Sequence, residues 1–260
     1  MEVNCLYSSE RRIWTREEIM LAFELYCIIP KGKDTVNNKQ IIALSTAINR
    51  SVNSIKLKIQ NFKSYDPSYT QNGRVGLSHG SKLDKEVCDE FLNNWNSLVV
   101  ETNEIKNGLN LPHGDLTINK PQDVFLGRSA IREQNTRIGQ AFFRKALLAA
   151  YNYRCCFSGI SFPELLRASH IKPWAESEDL NEKTNPQNGL LLNALHDLAF
   201  DKGLMTITTD YEILVSSKIL NGSSDNKRHF ENYHRKKMLL PSRFFPDKEF
   251  ISYHNEKFMK

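Results

Sequence analysis

Apolar residues recur at helical spacing through the first third of the chain and gather into near-continuous runs in the last third. Between Trp14 and Ile29, the residues Ile19, Ala22, Phe23, Leu25 and Tyr26 fall at three- and four-residue intervals, which predicts a helix. Thr15 with Glu18 reads as a capping box, each side chain satisfying an orphan N–H of the first turn. Pro30, Gly32 and Lys33 end this helix. A second helix is predicted over 38–48 and a tight turn at Asn49–Arg50. A third follows over 51–65, with Val52, Ile55, Ile59 and Phe62 inward and Pro67 closing it. Three short helices with a tight turn before the third make a helix-turn-helix arrangement. Residues 73–83 read as a glycine-rich loop, 81–95 as a fourth helix, and 101–128, which show no period, as a linker.

From residue 129 the pattern changes. Residues 129–151 are helical, most strongly in their second half. Residues 154–159 read as a short strand entering a turn and 165–171 as a second strand, together a hairpin with a long turn. The leucines between Asn188 and Phe200 lie all round the chain and read as a buried helix ended by Gly203. Residues 204–208 and 212–216 make another hairpin. The expected fold class is α+β. A tail (1–11) precedes a helical, helix-turn-helix-like domain (12–100), a linker (101–128) and a second domain (129–260) built on a ββα unit.

Composition changes this picture little. With 260 residues, 40% hydrophobic and 25% charged, the chain has the make-up of a globular protein that folds without disulfides or a structural metal. It lacks a run of about 18 apolar residues, so no membrane span is expected. The polar opening segment lacks the core of a secretory signal. Five scattered cysteines (5, 27, 88, 155 and 156) suit reduced thiols, so the expected location is cytoplasmic. The formal charge of +5 tilts the protein only weakly toward polyanions. Local charge says more. The third helix and its lead-in carry Arg50, Lys56, Lys58 and Lys63 and no acid, while Asn53, Gln60 and Asn61 can read base edges. This helix is the expected DNA contact; the plainer alternative is a solvated outer face.

Two histidines stand in apolar segments: His170 in A-S-H-I-K-P-W (168–174), and His196 in N-G-L-L-L-N-A-L-H-D-L-A-F-D-K-G (188–203). A lone histidine in such a setting is ordinarily structural. The pair is more informative, because Asp197 and Asp201 follow the second. A cluster of imidazole and carboxylate suits a divalent metal and leaves a histidine for proton transfer.

These stretches resemble the HNH endonucleases, whose fold is the ββα-metal finger. The resemblance runs over residues 129–260, from R-I-G-Q-A-F-F-R-K-A-L-L-A-A-Y (137–151) and R-C-C-F-S-G (154–159) to the L-P-S-R-F-F-P-D tail that starts at Leu240. It implies His170 as the general base, Asn188 as the residue that fixes the loop and orients it, and His196 as a metal ligand on the helix. The metal, Mg²⁺ first and Mn²⁺ or another transition metal as alternatives, would stabilise charge developing on the scissile phosphate.

Two departures matter. Many HNH enzymes carry Asp where this chain has Ser169, a poorer ligand, so the carboxylate must come from Asp201 or Asp197. These two share a helix face at i, i+4, whereas Asp201 lies about 140° around from His196 and would reach the metal if the helix frays before Gly203. Their plainer readings are a polar helix end for Asp201 and a solvent-facing residue for Asp197. The paired C-x-x-C motifs of some family members are also missing. Adjacent Cys155 and Cys156 cannot easily share one tetrahedral zinc, so no structural zinc is expected and both read as core residues. Lys172, Arg167 and Lys202 are further candidates for phosphate contact.

The resemblance implies a metal-dependent DNA endonuclease acting on double-stranded DNA, with a restriction or phage-defence role by family analogy and a homodimer to cut both strands. The rival expectations are a nuclease of low sequence selectivity with an N-terminal activation module, and a DNA-binding regulator with a degenerate finger.

Overall fold

A computed structural model describes residues 12–70, 80–111 and 128–258, and side chains within these except those of 128–132 and 258. The expected tail, residues 73–79 of the glycine-rich loop and residues 112–127 of the expected linker lie outside the described residues.

The helical unit is organised around α1 (Arg16–Ile28), which buries nearly its whole surface, Ile19 through Cys27 included. Its capping box forms: Thr15 N–H donates to Glu18 Oε2 at 3.1 Å and Glu18 N–H to Thr15 Oγ1 at 3.3 Å. Helices α2 (Lys39–Ala47) and α3 (Val52–Phe62) pack on it, joined by a turn in which Asn49 takes a left-handed φ of 49°. A short α4 (Pro67–Thr70) and α5 (Lys82–Leu92) follow.

Helix α6 (Trp95–Gly108) extends into the first residues of the expected linker. Its buried Trp95, Leu98, Val99 and Thr102 do have helical spacing. The intervening Asn, Ser, Glu and Thr residues dilute that signal in the sequence.

Helix α7 (Arg128–Ala150) belongs to both halves of the molecule. Ile138, Phe142 and Ala146 enter the core of the helical unit, whereas Phe143, Leu147, Ala150 and Tyr151 enter a second core under the ββα unit. The chain later returns to the first core through Phe244, which packs edge-on against Trp95 (4.9 Å between centroids) and Tyr26 (6.1 Å). Arg243 donates to the carbonyl of Ile29 at 2.9 Å.

The second unit has a two-stranded antiparallel sheet, β1 (Leu166–His170) and β2 (Gly189–Asn193), with α8 (Leu180–Thr184) between them in the chain. The register pairs His170 with Gly189 and Leu166 with Asn193. Helix α9 (Ala194–Asp201) packs back on both strands. The ββα order is as expected, but its members differ. Residues 154–159 form a closed turn, with Cys155 N–H donating to Ile160 O and Gly159 N–H to Cys155 O, both 2.8 Å. His170 is therefore on the first strand of the unit. The second strand is Gly189–Asn193, the first part of what reads as a helix from sequence. A continuous leucine run fits a strand buried on both sides as well as a buried helix. Asn193 decides the change by capping α9: its Oδ1 accepts the N–H of His196 at 2.9 Å.

Strands β3 (Met205–Ile207) and β4 (Ile213–Val215) form the second expected hairpin. Helices α10 (Ser217–Leu220), α11 (Ser224–Arg228) and α12 (Lys248–Phe258) complete the chain. Cys155 and Cys156 are buried free thiols in the second core. Among the described residues no helix is long and apolar enough to cross a membrane.

Candidate active site

The end of β1, the loop after it, the outer face of α9 and α12 enclose a cleft of about 340 Å³ whose lining includes Ser169, His170, Trp174, Asp197, Asp201 and His254. Strand β1 delivers His170, and three contacts hold its ring. It stacks face to face on Phe143 of α7, centroids 4.0 Å apart and planes 8° from parallel. Trp174 meets it edge-on at 5.4 Å. Its Nε2 lies 3.0 Å from the carbonyl oxygen of Lys183. Burial lowers the pKa of His170 below the ordinary imidazole value, an effect the Lys183 carbonyl partly opposes.

Asn188, fully buried, ties together the two chain segments that flank this ring. Its Oδ1 accepts Lys172 N–H at 2.8 Å, while its Nδ2 donates to Glu182 O at 3.2 Å and Lys172 O at 3.3 Å. Its own carbonyl accepts Ile171 N–H at 3.0 Å. Helix α8, which bears Lys183 O, and the segment that follows His170 thus share one amide side chain.

Asp197 and Asp201 face the cleft from successive turns of α9. Partial burial raises the pKa of Asp201, and the charge of Asp197 raises it further. Ser169, which lines the same cleft, is 4% exposed, and its Oγ is buried without a hydrogen-bond partner. Among the described residues no group of three or more His, Cys, Asp or Glu side chains could hold a metal ion by itself. Two like-charged carboxylates and an unsatisfied hydroxyl suit a hard cation that takes oxygen ligands and keeps positions for water or phosphate, the habit of Mg²⁺. The donor set therefore fits such an ion.

His196 does not join them. It is 2% exposed and its ring packs against Tyr233 (4.7 Å), Phe157 (5.6 Å) and Phe230 (6.3 Å). Its Nδ1 accepts from Asn193 Nδ2 at 3.2 Å and lies 3.6 Å from Cys155 Sγ. The expected meeting of His170 and His196 is corrected on this point. Consecutive helix residues point about 100° apart, so a helix that turns Asp197 to the cleft turns His196 into the aromatic core. The second imidazole of the cleft is His254 on α12, which no motif in the sequence singles out. It stacks on Phe200 at 3.9 Å, and its Nδ1 lies 2.9 Å from Thr206 Oγ1.

Several expected DNA contacts are also redirected. Arg50 binds Glu18 at 2.7 Å and lies over the Trp14 ring; Lys58, 6% exposed, binds the fully buried Asp84 at 2.7 Å. Lys63 binds Asp34 at 2.9 Å, and Lys172, 8% exposed, binds Glu182 at 2.9 Å. From sequence each looks like a surface charge, because its carboxylate partner lies 10 to 32 residues away in the chain. Asn53, Lys56 and Gln60 remain on the outer side of α3, Asn53 exposed and the others half-buried. Arg167 and Lys202 are exposed.

A family model described as HNH endonuclease matches residues 155–208, from the closed turn through β3. Among solved structures the chain is similar to a modification-dependent TagI restriction endonuclease, with 21% identity and a TM-score of 0.30. That match covers 45% of this chain and 37% of the other, so this chain spans little more than a third of that enzyme's length. No curated protein matches.

Proposed function

We infer from the HNH endonuclease family segment at residues 155–208 that this chain hydrolyses phosphodiester bonds in double-stranded DNA with the help of a divalent cation. The observation that carries the reading is the state of His170. A carbonyl oxygen can only accept, so the contact with Lys183 O makes Nε2 the protonated nitrogen and leaves the Nδ1 lone pair as the base. Lowered by burial, the ring is neutral at pH 7 and able to take a proton from water. As the water oxygen bonds to phosphorus, its proton passes to Nδ1, and the P–O bond to the leaving oxygen breaks.

Asp197 and Asp201, with Ser169 Oγ, would hold the cation. When bound, it would neutralise charge on the phosphate and on the leaving oxygen. Phe143, Trp174 and Asn188 keep the base in place. Asn53, Lys56 and Gln60 of α3 would meet DNA, and a two-fold dimer would serve cleavage of both strands. A restriction or defence role follows by analogy with the family.

The test is cleavage of a supercoiled plasmid with Mg²⁺ or Mn²⁺ by the wild-type chain and by His170→Ala. Metal-dependent cutting in the first alone supports the reading. Equal cutting, or no cutting by the wild type with either metal while DNA is still bound, defeats it.

One observation favours a nuclease of low sequence selectivity: three of the four basic residues in and around α3 are spent on internal carboxylates. Discrete fragments from the same digest support a site-specific enzyme, and a smear supports the less selective one.

A further inference from the structure

The closed turn after α7 and the short run that follows it carry apolar side chains which the candidate active site leaves unused. Phe162 is 67% exposed, and Tyr153, Ile160, Leu165 and Leu239 are exposed with it. Backbone hydrogen bonds hold these stretches together. Cys155 N–H donates to Ile160 O at 2.8 Å, Leu165 N–H to Phe162 O at 3.0 Å and Leu239 N–H to Cys156 O at 2.8 Å. The same stretches bear one exposed charge of each sign, Arg154 and Glu164, and neither side chain forms an ion pair among the described residues. We propose that this patch joins two copies of the chain about a two-fold axis, with Phe162 at its centre and Arg154 of each copy paired with Glu164 of the other.

A single apolar side chain at the surface needs no account, whereas a group of them marks an interaction surface. Covering it gains roughly 25 cal/mol per Å² of apolar area removed from water. The backbone that presents Phe162 is fixed before any contact. Pro163 begins a single 3₁₀ turn (Pro163–Leu165), and Arg144 of α7 donates to Pro163 O at 3.3 Å and to Leu166 O at 3.0 Å, bracing the turn at both ends. An anchor held in this way loses little freedom on association, and aromatic residues are enriched at the centres of such contacts.

The charges choose the occupant. A duplex would meet the patch with phosphates, which Glu164 repels and an apolar centre does not match. A second copy answers both signs. In a two-fold contact residue i meets j while j meets i, so Arg154 and Glu164 make two pairs, one on either side of the axis. Two further arginines are committed to carbonyls of the turn: Arg144 as described, and Arg167, whose Nη1 donates to Glu164 O at 3.4 Å. Alternation along β1 puts the Arg167 side chain on the sheet face of Ser169, which lines the cleft. The assembly carries two clefts in one particle, as cutting both strands of a duplex needs; the association itself does not rest on the nuclease reading.

The experiment is sedimentation velocity of the full chain between about 1 and 100 µM, where a contact of this size should pass from monomer to dimer. Phe162→Glu should weaken association by about tenfold or more. Arg154→Glu and, separately, Glu164→Arg should each do the same, because each sets like charges together at both pairs. An equimolar mixture of these two single variants should associate to within about threefold of wild type, since every pair in the mixed dimer is again of opposite sign. All three side chains are exposed, so helical circular dichroism should be unchanged. A wild type that stays monomeric throughout, a Phe162→Glu chain that associates as tightly as wild type, or a mixture no tighter than its components overturns the proposal. A monomeric wild type whose Phe162→Glu variant loses DNA affinity assigns the patch to DNA instead. A chain that dimerises in this way yet cuts no DNA retains the proposal and counts against the nuclease reading.

Discussion

His170 Nε2 donates to the carbonyl oxygen of Lys183 at 3.0 Å, and this contact fixes which ring nitrogen stays basic. On the proposed role of His170 as base, loss of the ring removes proton transfer from water. For His170→Ala, plasmid cleavage is expected to fall by about 10²–10⁴-fold, the usual worth of a general base. DNA affinity, read by gel shift, and helical circular dichroism should remain close to wild type. A variant that cuts at the normal rate puts the base elsewhere.

With His170 as the proposed base, the same ring would set the acid limb of the pH profile. Burial disfavours imidazolium, so His170 stays neutral to a pH below the ordinary value of about 6.5. The single-turnover cleavage rate should hold steady as pH drops to about 6.5 and decline only below it. A rate that already falls by half between pH 8 and about 7 would mean that another group titrates.

Asp197 raises the pKa of Asp201 by charge repulsion, and a cation held by the two, as proposed, would relieve it. Asp201 has a raised pKa, so its folded carboxylate is less favourable than the unfolded one at neutral pH. Asp201→Asn should therefore leave the metal-free chain as stable as wild type or more so. It should also abolish the rise in melting temperature expected of the wild type on adding Mg²⁺, and lower cleavage by about 10²-fold. An Asp201→Asn chain still stabilised by Mg²⁺ would assign the cation to other ligands.

Parts of this site were legible in the sequence for clear reasons. Ser169, His170 and Asn188 sit in short stretches whose order survives folding, and the i, i+4 spacing of Asp197 and Asp201 puts them on one helix face whatever α9 packs against. Which face looks into the cleft is a tertiary matter, and there the expectation for His196 failed. His254 lies more than fifty residues beyond α9 and enters the cleft only because α12 folds back beside β3. The strand in the leucine run was hidden because burial on both sides erases the alternation that marks a strand. Arg50 and Lys58 read as surface charges because nothing local shows that Glu18 and Asp84 will meet them.

Those ion pairs make the basic residues of α3 separable by experiment. Lys58→Ala leaves Asp84 buried without its partner and should cost about 3–5 kcal/mol of stability in urea unfolding. Lys56→Ala should cost little stability but lower DNA affinity, reducing the slope of log affinity against log salt by about 1. If Lys58→Ala is instead as stable as wild type and loses DNA affinity, Lys58 leaves Asp84 for phosphate.

Buried imidazoles make folding sensitive to acid. Burial holds His196 and His254 at about 4 in the folded chain, against about 6.5 when unfolded. As pH falls the unfolded chain takes up these protons first. Their contribution to stability is whole above about 6.5, declines between about 6.5 and 4, and changes no further below that. Urea midpoints measured across this window should fall steeply in the wild type and less so in His196→Gln or His254→Gln. Equal slopes in all three would show that other groups govern acid unfolding.

Gly189 offers a way to disturb the His170 ring, the proposed base, without touching it. It pairs with His170 across the sheet, and a Cβ built there would lie 2.7 Å from Phe143 Cζ and 2.6 Å from Leu147 Cδ1. Phe143 is thus held between Gly189 on one strand and the His170 ring on the other. Gly189→Ala should cost about 1–3 kcal/mol as an overpacked core position. It should also lower the cleavage rate well below the unfolding midpoint, where nearly all molecules are folded, because the displaced phenyl ring tilts the imidazole stacked on it. Adding Leu147→Ala gives the new methyl group room on one side only and should leave the rate low. A Gly189→Ala chain that melts earlier but cuts at the wild-type rate would show that the stack with Phe143 supports the fold and not the orientation of the base.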